Sequence, residues 1–164
     1  MQRMCTWQEC KGYFSKQREY IQRDLDLIDS DVCGPMSIAT VQGASYYVTF
    51  IDDFSRKTWI FFRKTKDEVI GRFWEFKAQV ESQTGKKIKV LRSDNGGEYT
   101  SNEFKDFCKE ARIKREKTVS YNPQQNGVAT RKNRSIISTA KAMIHDQGLP
   151  MFLWAEACNT KMYL

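Results

Sequence analysis

With 164 residues, 40% of them hydrophobic and 29% charged, the chain is long enough for one domain with its own core. No run of about 18 apolar residues occurs, and the first ten residues hold no apolar stretch of the secretory kind, so neither a membrane span nor a signal peptide is expected. Five scattered cysteines, an odd number, point to reduced thiols in an intracellular protein. With His145 the only histidine and no CxxC pair, Cys5 and Cys10 do not suffice for a closed zinc site.

The net charge of +7 is concentrated in one stretch. Residues 86–134 carry 13 Lys and Arg against 6 Asp and Glu, while the segments on either side are balanced. A cationic middle suggests a polyanionic partner, nucleic acid first. A basic face that only solubilises the chain is the competing reading.

Residues 1–24 are polar and show no period, which suggests an arm or the remnant of an upstream module. Leu25 to Val32 reads as a strand in which Asp29 and Asp31 share one face. Cys33-Gly34-Pro35 stops it. Tyr46 to Ile51 and Thr58 to Phe62 are β-branched and aromatic, so with the first strand they form an antiparallel meander. Thr65 and Glu68 suggest a capping box. Val69, Phe73, Phe76 and Val80 then recur at helical steps and Gly85 supplies a stop. This aromatic stripe is read as core.

Ile88 to Leu91 is a short apolar strand that runs into Arg92-Ser93-Asp94-Asn95-Gly96-Gly97-Glu98-Tyr99. Asp94 is thereby held at a strand end, where a rigid scaffold can aim it at a cleft. Thr100 and Glu103 suggest the next capping box, with Phe104, Phe107, Cys108 and Ala111 inward. Ile113 to Val119 alternates as an edge strand, and Pro123 to Gly127 is a polar loop. Asn126 is a fair N-cap for a long helix. Its core side is Ala129, Ile136, Ala140 and Met143, and its polar stripe is Arg131, Arg134, Ser138 and Lys141. Pro150 ends it, and Phe152 to Tyr163 begins another amphipathic helix. The expected organisation is an arm over 1–24 and a domain over 25–164 that is truncated at its C-terminus. The class is α/β, with a five-stranded mixed sheet flanked by helices.

Asp31 and Asp94 are a natural pair for a hard cation such as Mg²⁺ or Mn²⁺, which takes oxygen ligands and shares its sphere with phosphates. Two aspartates near strand ends are by themselves a weak signal, since surface charge explains them as well.

Four stretches give the pair more weight: Leu27-Ile28-Asp29-Ser30-Asp31-Val32-Cys33-Gly34-Pro35-Met36, Phe50-Ile51-Asp52-Asp53-Phe54-Ser55-Arg56, Arg92 to Tyr99, and Pro123-Gln124-Gln125-Asn126-Gly127-Val128-Ala129. With Trp154-Ala155-Glu156-Ala157 they resemble the catalytic core of Ty1/Copia-type retrotransposon integrases, from about residue 25 to the end. The resemblance implies an RNase H-like fold, Mg²⁺ or Mn²⁺ as cofactor, and DNA (element ends and target) as partner. It also implies a homo-oligomer, a nuclear location, and phosphodiester processing and strand transfer by an Asp, Asp, Glu triad. Asp31 and Asp94 match the two aspartates. The glutamate position, 35 residues beyond the second, is occupied by Thr130.

A neutral hydroxyl replaces a carboxylate poorly on a hard cation. The expectation is therefore an integrase core that is inactive as written. The alternative is a non-catalytic nucleic-acid-binding or self-associating remnant, and a cellular RNase H-type nuclease is a third reading. Asp29 and Glu98 are the other carboxylates near the pair, and neither lies on the long helix. Expected DNA contacts are Gln124, Gln125, Asn126, Arg131, Lys132 and Arg134.

Overall fold

A computed structural model describes residues 23–94, 96–118 and 127–163. The polar arm with Cys5 and Cys10, Val119, and the loop with Gln124, Gln125 and Asn126 fall outside them. The strands are β1 (Leu27–Cys33), β2 (Tyr46–Asp52), β3 (Thr58–Arg63), β4 (Val90–Ser93) and β5 (Lys114–Lys117). The helices are α1 (Val69–Thr84), α2 (Asn102–Glu110), α3 (Gly127–Asp146) and α4 (Trp154–Tyr163), with short 3₁₀ turns at Gly97–Tyr99 and Met151–Leu153. The strands form one sheet in the order β3-β2-β1-β4-β5. β1 pairs antiparallel with β2 and parallel with β4, β2 pairs antiparallel with β3, and β4 pairs parallel with β5. This is the five-stranded mixed α/β layering that the sequence implies, with β1 at its centre.

The period-2 alternation of the strands divides the core between two faces. Ile28, Val48, Phe50 and Leu91 point to one side, against Val69, Phe73, Phe76 and Val80 of α1 and Phe104 and Cys108 of α2. The rings of Phe50 and Phe76 stack with centroids 4.5 Å apart. Tyr47 points the other way, against Ile136, Ala140 and Ile144 of α3 and Trp154 and Cys158 of α4. β1 is sandwiched between the two clusters, so a polar side chain on it is held by packing from both sides.

Several local details differ from the sequence reading. Helix α2 is capped by Ser101, whose hydroxyl accepts the Phe104 N–H, and not by Thr100. A cap one residue later suits the 3₁₀ turn that ends at Tyr99 and occupies Thr100. At α1 only half of the capping box forms: Glu68 accepts the Thr65 N–H and hydroxyl, and Glu68 itself takes the N-cap position without a side-chain cap bond. Gly85 does end α1, in the left-handed conformation (φ 67°), with its N–H on Glu81. On α3 the buried row is Ala129, Asn133, Ile136, Ala140 and Ile144. Ile144 replaces Met143, and Asn133 enters a row that was read as wholly apolar.

Phe76 stacks on Phe50 and meets Trp59 and Phe61 edge-on at the middle of the larger cluster. Phe76→Ala is expected to destabilise the protein by about 3–5 kcal/mol in urea denaturation. A loss below about 1 kcal/mol would mean that this cluster does not carry the fold.

Candidate metal and nucleic-acid site

Asp31 lies two residues before the end of β1, and Asp94 directly follows β4. The parallel register places Asp29 opposite Arg92, so two residues further along both chains the two aspartates lie side by side. Their charges interact. Burial pushes the Asp31 carboxyl up to about 6; a hydrogen bond from Asn133 opposes that rise, and the negative charges of Asp94 and Glu98 add to it.

Asn133 is the group that sequence reasoning missed. It is 4% exposed on the inner row of α3. Its Nδ2 donates to Asp31 Oδ2 at 2.9 Å, and the Thr49 hydroxyl of β2 donates to its Oδ1 at 2.9 Å. The Tyr47 hydroxyl donates to its main-chain carbonyl at 3.4 Å. Because the Asp31 carboxylate can only accept, the amide nitrogen must face it, which leaves the amide oxygen to accept from Thr49. A polar residue in an otherwise apolar helical row, Ala129-x₃-Asn133-x₂-Ile136, was the available signal.

The turn carrying Asp94 is fastened from beneath. Asp94 Oδ1 accepts the Gly96 N–H at 3.0 Å. Tyr99 is fully buried, with its hydroxyl 2.5 Å from Ser30 Oγ on β1. Arg115 of β5 donates to the Tyr99 carbonyl at 2.9 Å and to Ser93 Oγ at 3.0 Å, with its guanidinium 4.6 Å from the Phe104 ring centroid. One of the basic residues of the alternating β5 segment is thus spent inside the domain, holding the strand end in place.

The other carboxylates have separate positions. Asp29, one of the other carboxylates near the pair, is wholly buried. It faces Arg92 at 3.4 Å, and Arg92 in turn faces Glu116 at 3.3 Å, a row across β1, β4 and β5. The reason is the central position of β1: both of its faces are covered, so a charge there needs a partner. Burial lifts the Asp29 carboxyl to about 7, against the pull of Arg92. Glu98 folds back so closely that a Cβ on Gly96 would lie 2.6 Å from its Oε1. Glycine at 96 is therefore what lets this acid approach the Asp94 turn.

Thr130 is exposed near the start of α3 and lines a cleft of about 470 Å³ together with Asp31, Asn133, Arg134, Ser138 and Lys141. The cleft sets the single carboxylate of Asp31 beside Arg134 and Lys141 of one helix. Among the described residues, no three His, Cys, Asp or Glu side chains converge closely enough to hold one ion together. The paired carboxylates of Asp31 and Asp94 do suit a single oxygen-preferring cation, because a cation would relieve the repulsion that raises Asp31. Arg131 lies elsewhere, folded back over Gly127. Lys132 lines a different groove, beside β3. Among the described residues only Arg134, of the three expected basic contacts on α3, faces the cleft, and Lys141 joins it there.

The integrase core domain family matches residues 22–123. A stretch of 140 residues, 85% of the chain, is 54% identical to the retrovirus-related Pol polyprotein of transposon TNT 1-94 from Nicotiana tabacum. A stretch of 151 residues, 92% of the chain, is 31% identical to the corresponding polyprotein of transposon RE2 from Arabidopsis thaliana. The chain spans about 10% of the length of each. Two solved structures share the fold. The HTLV-2 integrase catalytic core domain in complex with magnesium has a TM-score of 0.56 and 24% identity over 84% of this chain and 83% of that one. A chain of the simian T-cell lymphotropic virus intasome in complex with PP2A regulatory subunit B56 gamma has a TM-score of 0.64 and 21% identity over 84% of this chain and 46% of that one. The chain belongs to the integrase core domain family, and its relatives are the Pol polyproteins of Copia-type transposons. Its sheet and flanking helices are RNase H-like. No helix of the described residues is long and apolar enough to cross a membrane.

A carboxyl that titrates higher in the folded than in the unfolded chain binds its proton more tightly when folded. Its contribution to stability is therefore lost as pH rises from the ordinary carboxylate range through about 6 for Asp31. Asp31→Asn removes that charge and keeps an acceptor for Asn133. The metal-free variant is expected to melt higher than the parent at about pH 8, with the difference vanishing below about pH 4. A gap independent of pH would contradict this electrostatic picture.

Proposed function

We propose that this segment is the catalytic-core portion of a Copia-type retrotransposon integrase that still holds a divalent ion and duplex DNA but neither processes nor joins DNA ends. The observation that carries this reading is the position of Thr130. It lines the same cleft as Asp31, on the helix where the family resemblance calls for a glutamate. Mg²⁺ or Mn²⁺, when bound, supplies Lewis-acid stabilisation of a phosphodiester's charge. Asp31 and Asp94 would hold it.

Each residue of the cleft has a chemical task under this reading. Asn133 fixes the rotamer of Asp31, so one carboxylate oxygen is committed to the amide and the other is aimed outward. The Gly96 N–H does the same for Asp94. Arg134 and Lys141 supply cations for phosphate oxygens along one wall. Gln124, Gln125 and Asn126 would add hydrogen-bond donors, with Arg131 contributing to a broader cationic surface. The Thr130 hydroxyl cannot balance a second divalent charge, so the unit that positions and activates the attacking oxygen is incomplete. Function as an oligomer in the nucleus follows from the family reading.

Thr130→Glu is expected to raise Mn²⁺-dependent joining of a short duplex end to target DNA by on the order of 10⁴-fold, since members of one catalytic unit act together. The parent should bind the same duplex without joining it. If the parent already joins ends as fast as Thr130→Glu, the reading fails.

A further inference from the structure

Strand β3 forms one end of the sheet, and among the described residues it has no strand neighbour beyond β2. Thr58 to Phe62 are only half-buried, whereas all but the first residue of β2 are buried. A groove of about 600 Å³ runs along this open edge. Its floor is six consecutive residues, 56–61, with Gln79 of α1 on one bank and Lys132 of α3 and Asn159 of α4 on the other. A cavity that follows a strand edge for that length presents a row of backbone donors and acceptors, the template for adding another strand.

The charge of the groove is one-sided. Arg56, Lys57 and Lys132 line it, and no Asp or Glu does so among the described residues, although Arg56 is already paired with Asp53 at 2.8 Å. Lys57 rests above the Trp59 ring, its Nζ 5.1 Å from the centroid, which fixes one cation beside the edge. Gln79 and Asn159 offer side-chain amides that can bridge to the outer face of an added strand. Pairing with the same edge of a second copy would bring these cations against their own counterparts, which is destabilising.

We infer that the β3 edge is a docking groove for an extended acidic peptide segment, which adds to the sheet as a sixth strand beside Lys57 and Lys132. The hydrogen bonds come from the β3 main chain, and the choice of an acidic segment comes from Lys57 and Lys132. This surface lies outside the cleft of Asp31 and Asp94, and its occupancy does not depend on whether that cleft is active. Lys132, placed by the sequence reading with the DNA contacts, belongs in this account to the peptide groove.

A fluorescein-labelled decapeptide of alternating Asp and Val, titrated with the full chain by anisotropy, tests the inference. Saturable binding is expected. Two derivatives, one N-methylated at every Val and one at every Asp, should behave differently, because alternate residues of a strand hydrogen-bond to opposite sides. One should lose about tenfold or more in affinity, as removal of more than one hydrogen bond predicts, while the other stays close to the parent peptide. The double substitution Lys57→Glu with Lys132→Glu, checked for unchanged circular dichroism and melting, should weaken binding by about tenfold or more. Absence of saturable binding, equal affinities for both N-methylated peptides, or indifference to the charge reversal would overturn the inference. Full displacement of the peptide by an equal concentration of single-stranded oligothymidylate would reassign the groove to nucleic acid and overturn it too.

Discussion

Asn133 joins helix α3 to the neighbouring strands β1 and β2 by a hydrogen bond at each end of its amide, and the geometry of the cleft follows from those two bonds. Asp31 stands on a strand packed from both faces, where a carboxylate can persist only with a partner. The amide is neutral, so it orients Asp31 without neutralising it. What remains is a half-buried carboxylate, lifted in pKa by burial and by Asp94, in a cleft that Arg134 and Lys141 also line. An oxygen-seeking cation relieves that tension. The same contact sets the rotation of α3 and so brings Thr130 and Arg134 to the cleft and turns Lys132 toward β3.

The second aspartate is fixed by different means. Asp94 sits in a turn, and turns wander unless something beneath them is rigid. Here Tyr99 and Arg115 fill that place, one bonded to Ser30 on β1 and the other to Ser93 and the Tyr99 carbonyl. A half-buried guanidinium above the Phe104 ring is a costly element unless its donors are used: Nη1 and Nη2 each donate, while the buried Nε has no partner. The result is a pair of carboxylates on adjacent parallel strands, one aimed from a helix and one from a folded turn. Among the described residues no comparable device is built around a third acid: Asp29 is committed to Arg92, and Glu98 rests against Gly96.

Much of this was legible in the amino-acid order, and the reasons are specific. The aromatic periodicity of 69–80 and the β-branched runs at 46–51 and 58–62 encode burial, and each appears as the expected element. The sheet, the meander and the family followed from them and from the long motifs. Asn133 was hidden because a polar residue in a helix reads as solvent-facing until the partner strand is known. Asp29 was hidden for the converse reason: parity gives a face but does not say that β1 is central and covered. Arg115 and Lys132 show that charge counts locate a cationic segment without saying which charges face a ligand, which brace a turn and which line another groove. Cap positions slipped by a residue because adjacent Thr100 and Ser101 can each serve, and the preceding 3₁₀ turn chooses between them.

The number of divalent ions bound per chain bears most directly on whether two acids, and not three, define this cleft. Isothermal titration with Mn²⁺ near neutral pH should give a single site per chain, and that site should disappear in Asp94→Asn. Two ions bound to the parent chain, or one that survives removal of Asp94, would contradict the account.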